Sequence, residues 1–326
     1  MAVVIFLEMD PEVVELSKKQ TDLLGKVGLA LSGGAALGLA HIGTLKAMHE
    51  CGIHPEVISG TSAGAMIGAF YAKGVPLDEI ERIACSIDRV KTFQLMSPAI
   101  PRGRLVDTKN VEDFFAKHLG KNTRIEDLDI PYVAVTVDFW NGDILYINQG
   151  NLVEAVIASI SIPGVFRPME ANGTLLVDGG LRENLPLRVL QEYDPDTIIG
   201  VNVLKMKELK FDGYFTGIDR KQKIRGKEPE NFVEQITQAL RMGRFNRDQN
   251  LPRLTYLGYR SAMVLLTEIA NKEIQIVNPD LVIQLDLSHL RLWEFWKARQ
   301  MIDIGYQKGL DQIRHFLDFR GDAVRS

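Results

Sequence analysis

Residues 26–74 run twice through one plan, and that repetition limits the folds open to the chain more than any other feature. In "KVGLALSGGAALGLAHIGTLKAMHECG" a short apolar strand, "VGLAL", gives way to a glycine-rich turn, "SGGAALG", and then to a helix stopped near Gly52. In "PEVISGTSAGAMIGAFYAKG" a strand at Val57–Ser59 leads through a second turn into a helix ended by Gly74. Two successive strand–turn–helix units indicate a parallel sheet with helices covering its faces. The fold class expected is α/β, a three-layer α/β/α arrangement around a mostly parallel sheet.

The rest of the chain extends that reading. Asp10-Pro11 resembles an N-cap and first helical position, opening a helix through about Leu24. "PYVAVTVDFWNGDILYIN" holds two strand-like runs around Asn141-Gly142, a hairpin signal. "LVEAVIASISIPGVF" reads as a helix broken before Pro163, "GTLLVDGGLRENLP" as a strand entering a turn, and "TIIGVNVL" as a further buried strand. After Leu204 the character changes: "KMKELKFDGYFTGIDRKQKIRGKEPE" is charged and weakly periodic and reads as a mobile loop or insertion. Helical patterns resume from Asn231, followed by a strand in "PDLVIQL" and a last helix from about Arg291 to Phe319. The organisation expected is a helical extension over 1–24 and one α/β domain over 25–320, interrupted by a mobile charged segment near 205–230.

Three stretches carry chemistry. Gly60-Thr61-Ser62-Ala63-Gly64 is a G-x-S-x-G pentapeptide between an apolar strand and a helix of small residues. In that setting it forms a nucleophile elbow, a strained turn that presents the serine at the edge of the sheet. The helix expected to begin at Ser62 aims free backbone N–H groups at the site where negative charge would develop. The competing reading is a tight turn in which Ser62 only caps the helix. In the second stretch, Gly33, Gly34 and Ala35 follow a strand and open a helix, so their N–H groups can converge on an oxyanion or a phosphate. Gly33-x-Ala35-x-x-Gly38 is also a degraded dinucleotide fingerprint, although Glu56, the nearest candidate for a ribose-binding acid, precedes a strand. The third is "VDGGLRENLP", where Asp178 ends an apolar strand and Gly179 and Gly180 follow. That places a carboxylate at the carboxyl edge of the sheet, either facing a ligand or merely ordering a turn.

A serine hydroxyl needs a base to take its proton. By chain order only His289 and His315 could complete a Ser…Asp…His triad, and neither lies in a glycine-framed loop that would aim it. His41, His49, His54 and His118 fall on or beside helices and read as surface or packing residues.

Taken together, the three motifs resemble the patatin-like phospholipase family, whose members carry a glycine-rich oxyanion loop, a G-x-S-x-G elbow and a D-G-G or D-G-A motif in that order. The resemblance covers residues 25–205 closely, including "RIEDLDIPYVAVTVD" with Asp138 and "ASISIPGVFRP", and continues more loosely to about 315. It implies a Ser–Asp dyad without histidine, with Ser62 as nucleophile and Asp178 as base. Gly33, Gly34 and Ala35 correspond to the oxyanion loop, Gly60 and Gly64 to the elbow, and Gly179 and Gly180 to the D-G-G motif. The implied activity is a serine acyl hydrolase cleaving fatty-acyl esters of phospholipids or lysophospholipids through an acyl-enzyme, with no cofactor and no metal. This chain has Ala35 where the family has a third glycine, and Leu37 where it usually has arginine or lysine. The second departure motivates the alternative, a catalytically weak lipid- or partner-binding member of the same fold.

Composition narrows the partners. With 46% apolar residues the chain has ample material for a large core, and a net charge of −4 argues against a nucleic-acid partner. Two cysteines, Cys51 and Cys85, fit a reducing compartment and read as buried filler. The apolar run from Ala2 to Leu7 is too short for a secretory signal, and no apolar stretch reaches the roughly 18 residues of a membrane span. A cytoplasmic location is expected, with peripheral membrane contact open. "YRSAMVLLTEIA" and the basic residues scattered through 205–227 are the candidates for a lid or docking surface.

Overall fold

A computed structural model describes residues 24–95, 108–205 and 253–325 of the 326-residue chain. The expected helix from Asp10, the charged segment near 205–230 and the onset of helix at Asn231 lie outside these residues. Among them the strands are β1 Val27–Leu31, β2 Val57–Thr61, β3 Tyr132–Asp138, β4 Ile144–Ile147, β5 Met169–Ala171, β6 Thr174–Asp178, β7 Thr197–Asn202 and β8 Leu281–Gln284. The α-helices are α1 Ala40–Glu50, α2 Ala63–Ala72, α3 Leu77–Cys85, α4 Arg89–Leu95, α5 Lys109–Leu119, α6 Leu152–Ser159, α7 Arg253–Val277 and α8 Ala298–Arg325.

The strands form one sheet in the order β5-β6-β3-β2-β1-β7-β8, with β4 paired to β3 off this path. Strands β3, β2, β1, β7 and β8 run parallel, β4 and β6 pair antiparallel with β3, and β5 pairs antiparallel with β6. The central β1, "VGLAL", is buried along its whole length because both faces of the sheet are covered. Its alternate residues serve two cores: Val27, Leu29 and Leu31 join the larger apolar cluster, while Ala30 joins Val57, Leu185, Leu187, Leu190 and Ala270 on the opposite face. Those two cores separate the three layers. Helix α8 lies along α1, with Thr44 Oγ1 donating to Gly305 O at 3.2 Å.

Several boundaries differ from the sequence expectation. Strand β2 runs on to Thr61, so α2 starts at Ala63 rather than Ser62. The last helix starts at Ala298, after a 3-10 turn over Phe295–Lys297. Strand β5 was not anticipated; it reaches β6 through Asn172-Gly173, where both residues have positive φ. Cys51 is buried, but Cys85 is exposed rather than core filler. No helix among the described residues is long and apolar enough to cross a membrane.

Candidate active site

The elbow is shaped by what its neighbours cannot be. A Cβ at Gly64 would sit 2.0 Å from Leu31 O, and one at Gly60 would sit 2.5 Å from the Gly64 carbonyl carbon. Both positions therefore require glycine, and the chain can turn sharply only between them. Ser62 takes the turn, with φ 54° and ψ −117°, a conformation that costs a non-glycine residue about 1–3 kcal/mol unless its surroundings enforce it. They do so through hydrogen bonds. Ser62 N–H donates to Ser159 Oγ at 2.9 Å, and the Ser159 hydroxyl donates in turn to Val135 O at 2.6 Å. Thr61 Oγ1 donates to Glu183 O at 2.8 Å. The Ser62 side chain makes no cap hydrogen bond to its helix, which removes the helix-capping reading.

Asp178 reaches Ser62 through β3. Strand β2 pairs with β3 as far as Thr61 opposite Val135, and β6 takes over with Asp178 opposite Thr136. Since β4 occupies the other edge of β3 over Ala134–Val137, β2 and β6 meet end to end along one edge. The serine that follows Thr61 thus meets the last residue of β6. Asp178 Oδ1 accepts a hydrogen bond from Gly180 N–H at 2.8 Å, and the Ser62 hydroxyl lies near enough to favour the ionised carboxylate. The aspartate therefore both orders the turn and faces the serine. Burial pushes its pKa up to about 6, against the nearby Ser62 hydroxyl and the Gly180 hydrogen bond, which favour the carboxylate. Gly179 is obligatory as well, because a Cβ there would lie 2.5 Å from Val135 O.

The glycine-rich loop packs against the elbow; a Cβ on Gly33 would lie 3.3 Å from Ser62 Cβ. Gly33 N–H is already engaged, donating to Asn184 O at 2.9 Å. The N–H groups of Gly34 and Ala35, and that of Ala63 at the start of α2, have no acceptor among the described residues. Ala35 sits at φ 46°, a left-handed conformation that explains why glycine would suit the position better. Leu37 is buried in the main core, so this position faces packing rather than a head group. The dinucleotide reading fails on placement. Glu56 N–H bonds Val27 O at the amino end of β1, whereas the loop leaves the carboxyl end. Gly38 serves close packing, since a Cβ there would lie 2.3 Å from Ala63 Cβ.

Beside Ser62 and Ala35 opens a cavity of about 140 Å³. Its walls come from α2, α3, α4, α5 and the segment after α6, with Met66, Phe70, Ile83, Val111, Phe115 and Phe166 among them. Apart from Ser62 and Thr92 the lining is apolar.

The sequence profile described as Patatin-like phospholipase matches residues 29–190, a span that holds the loop, the elbow and Asp178. Through that span the chain belongs to the patatin-like phospholipase family. An uncharacterized NTE family protein of Mycobacterium bovis is 36% identical over 178 residues, covering 55% of this chain and 49% of the relative. Patatin-like phospholipase domain-containing protein 7 of Rattus norvegicus is 32% identical over 198 residues, covering 58% of this chain and 14% of that one. The chain therefore spans about half the length of the mycobacterial relative and a small part of the rat protein. The solved structure of VipD from Legionella pneumophila aligns with 90% of this chain and 67% of its own at 16% identity and a TM-score of 0.40.

Within this patatin-like domain no histidine is hydrogen-bonded to Ser62 or Asp178. His41 is buried beneath the loop, where Nε2 meets Ser32 O at 2.9 Å and burial lowers its pKa to about 4. His49 pairs with the Tyr71 hydroxyl, and His289 is exposed in the loop after β8. Asp138 orders the β3–β4 hairpin, accepting from Trp140 N–H and Thr174 Oγ1. Sequence reading did not identify Ser159, the Glu183 and Asn184 carbonyls, or the cavity. A buried serine at the end of a helix whose only other polar residue is Glu154 was the signal available for Ser159.

Proposed function

We propose that the chain is a serine acyl hydrolase that cleaves fatty-acyl esters of phospholipids or lysophospholipids through a Ser62–Asp178 dyad. The observation that carries this is Ser62, held on a strained elbow, beside the buried Asp178 carboxylate and opening on an apolar cavity. The family match and the relatives named for phospholipase domains support the substrate class.

The reaction runs in two halves. The fatty-acyl chain enters the cavity, bringing the ester carbonyl to Ser62. Asp178 takes the hydroxyl proton as Oγ bonds to the carbonyl carbon, and the carbonyl electron pair moves onto oxygen. A carboxylate with a pKa near 6 suits this task far better than one near 4, because a base works best when its pKa lies near the operating pH. The N–H groups of Gly34, Ala35 and Ala63, together with the positive end of α2, stabilise the oxyanion without having to reorient. Asp178 passes the proton to the leaving alcohol, then deprotonates the water that releases the fatty acid. Gly33 supports the loop instead of donating, because its N–H is held by Asn184.

Contact with a lipid surface is supported by exposed Phe139 and Trp140 on the β3–β4 hairpin and by exposed Leu181 after the D-G-G motif. Arg182 Nη1 donates to Gly142 O at 2.9 Å and ties these two elements together. The function is tested by following fatty-acid release from lysophosphatidylcholine and mixed phospholipids by mass spectrometry. Release by the unmodified chain and its loss in Ser62→Ala are expected. Equal release by Ser62→Ala, or none from the unmodified chain, would overturn the proposal.

A further inference from the structure

Along the glycine-rich loop the backbone donors are spent on either side of two residues. Ser32 N–H donates to Val201 O at 3.1 Å, Gly33 N–H to Asn184 O at 2.9 Å, Ala36 N–H to Leu292 O at 2.9 Å and Leu37 N–H to Gly34 O at 3.0 Å. Of these six consecutive residues only Gly34 and Ala35 keep N–H groups without an acceptor among the described residues. Two free donors stabilise a developing charge without reorienting only if the peptide groups beside them are held. Downstream, Leu292 holds Ala36. Upstream, the Ser32–Gly33 peptide group is held at both ends, its N–H by Asn184 O and its carbonyl by His41, whose Nε2 stands 2.9 Å from Ser32 O. The Ser32 hydroxyl accepts Val203 N–H at 3.0 Å and fixes the same residue from a third side. Ser32 O also lies 2.8 Å from where a Cβ on Gly64 would stand, so the elbow packs against the group that His41 holds.

A carbonyl oxygen can only accept, so Nε2 of His41 carries the ring proton. The ring is fully buried, and burial keeps it neutral by lowering its pKa to about 4. Nδ1 is therefore bare, and it has no hydrogen-bond partner. A buried acceptor left unpaired costs about 1–3 kcal/mol, and native interiors keep few of them. Packing alone does not call for an imidazole here, since an apolar ring would fill a similar space without that cost. The bond to Ser32 O gives the imidazole its use. We infer that His41 is a positioning residue of the hydrolysis proposed above: by holding the Ser32 carbonyl, its Nε2–H keeps the Gly34 and Ala35 N–H groups directed at the developing oxyanion. It acts through the loop backbone and exchanges no proton with Ser62 or Asp178.

The inference rests on the hydrolase reading, and the test separates the two. His41→Gln, His41→Asn and His41→Phe in the full chain are compared with the unmodified chain for kcat and KM on a p-nitrophenyl acyl ester. The glutamine amide reaches the place of Nε2 and can still donate to Ser32 O. The asparagine amide reaches only the place of Nδ1, and phenylalanine has no donor. His41→Asn and His41→Phe should lose about tenfold to a hundredfold in kcat with KM little changed, as expected when groups that meet the transition state are slightly displaced. His41→Gln should recover most of that loss. Equal losses in His41→Gln and His41→Asn would mark a packing role and overturn the inference, as would a kcat near the unmodified value in His41→Phe.

A measurement on the unmodified chain covers the case of variants that fail to fold. With 15N-histidine, the His41 ring should show a protonated Nε2 and a bare Nδ1, with an Nε2 proton that exchanges slowly with solvent. A proton on Nδ1, or a ring that titrates near the ordinary 6.5, also overturns the inference. An unmodified chain that neither hydrolyses the ester nor reacts with a fluorophosphonate defeats the hydrolase reading and this inference with it. Full activity with indifferent His41 variants defeats this inference alone.

Discussion

Thr61 and Asp178 stand one residue apart along a single edge of β3, opposite Val135 and Thr136. The adjacency depends on a change of strand direction. Parallel β2 stops where antiparallel β6 begins its own pairing, so a residue leaving one strand meets the end of the other. Ser62 and Asp178 are therefore positioned by backbone pairing in the sheet.

Hydrolysis should depend on pH. Asp178 must be ionised to accept a proton, and burial sets its pKa at about 6. The ratio kcat/KM reports ionisations of the free enzyme. It should rise with pH and reach half its plateau near 6, without a requirement for a histidine. Six single His→Ala variants should each keep this limb. A limb that disappears in any one of them would reassign the base.

Stability should respond to the same buried charges. Asp178 is raised from 3.8 to about 6 and Glu183 from 4.5 to about 7, each chiefly by burial. Between the unfolded and folded values the folded chain binds more protons, so stability is greatest below the lower value and falls as pH rises through the upper one. Asp178→Asn should then stabilise the fold at pH 8 by on the order of 2 kcal/mol, raising the thermal midpoint, with little gain at pH 4. Glu183→Gln should behave likewise, since Tyr146 can still donate to the amide oxygen it now gives Glu183 Oε2 at 2.6 Å. Melting curves at the two pH values check the sign.

The oxyanion loop offers two substitutions of opposite sign. Ala35→Gly relieves a φ of 46° and should stabilise by roughly 0.5–1 kcal/mol while preserving hydrolysis. Leu37→Arg places a cation in the main core and should destabilise by several kcal/mol without raising activity. An active, stable Leu37→Arg would restore the view that this position addresses a head group. Denaturant unfolding together with ester hydrolysis distinguishes the outcomes.

Cavity shape should set chain-length preference. Val111 lines the wall contributed by α5, away in sequence from loop, elbow and Asp178. Val111→Trp should cut kcat/KM on a long-chain ester by about tenfold or more while leaving a butyrate ester nearly unaffected, as expected when a wall is filled by several carbon atoms. Equal losses on both esters would separate the cavity from the acyl chain.

Much of this architecture was legible in the sequence, for identifiable reasons. The two strand–turn–helix units state their own periodicity, and Asn141-Gly142 marks the hairpin that β3 and β4 form. Asn172-Gly173 is the same signal, but β5 is only the three residues Met169–Ala171, too short to register as a strand. Glycine spacing exposed the elbow because Gly60 and Gly64 are dictated by backbone contacts within reach of the pentapeptide and β1. The meeting of Ser62 with Asp178 was harder to read from residues alone, since it depends on β6 joining the sheet antiparallel. The cavity was not legible at all. Its walls come from short helices whose apolar stripes look the same whether they close on a core or on an open space. The roles of His41 and Ser159 escaped for a related reason: their polarity matters only because of burial that no local pattern reveals.

The central claim is that Ser62 is a nucleophile activated by Asp178, and intact-mass analysis after treatment with a fluorophosphonate probe tests it most directly. The unmodified chain should gain one adduct, mapping to Ser62 by peptide sequencing, and both Ser62→Ala and Asp178→Asn should gain none under the same exposure. An adduct mapped to another residue, or Asp178→Asn labelled as fast as the unmodified chain, would contradict the account.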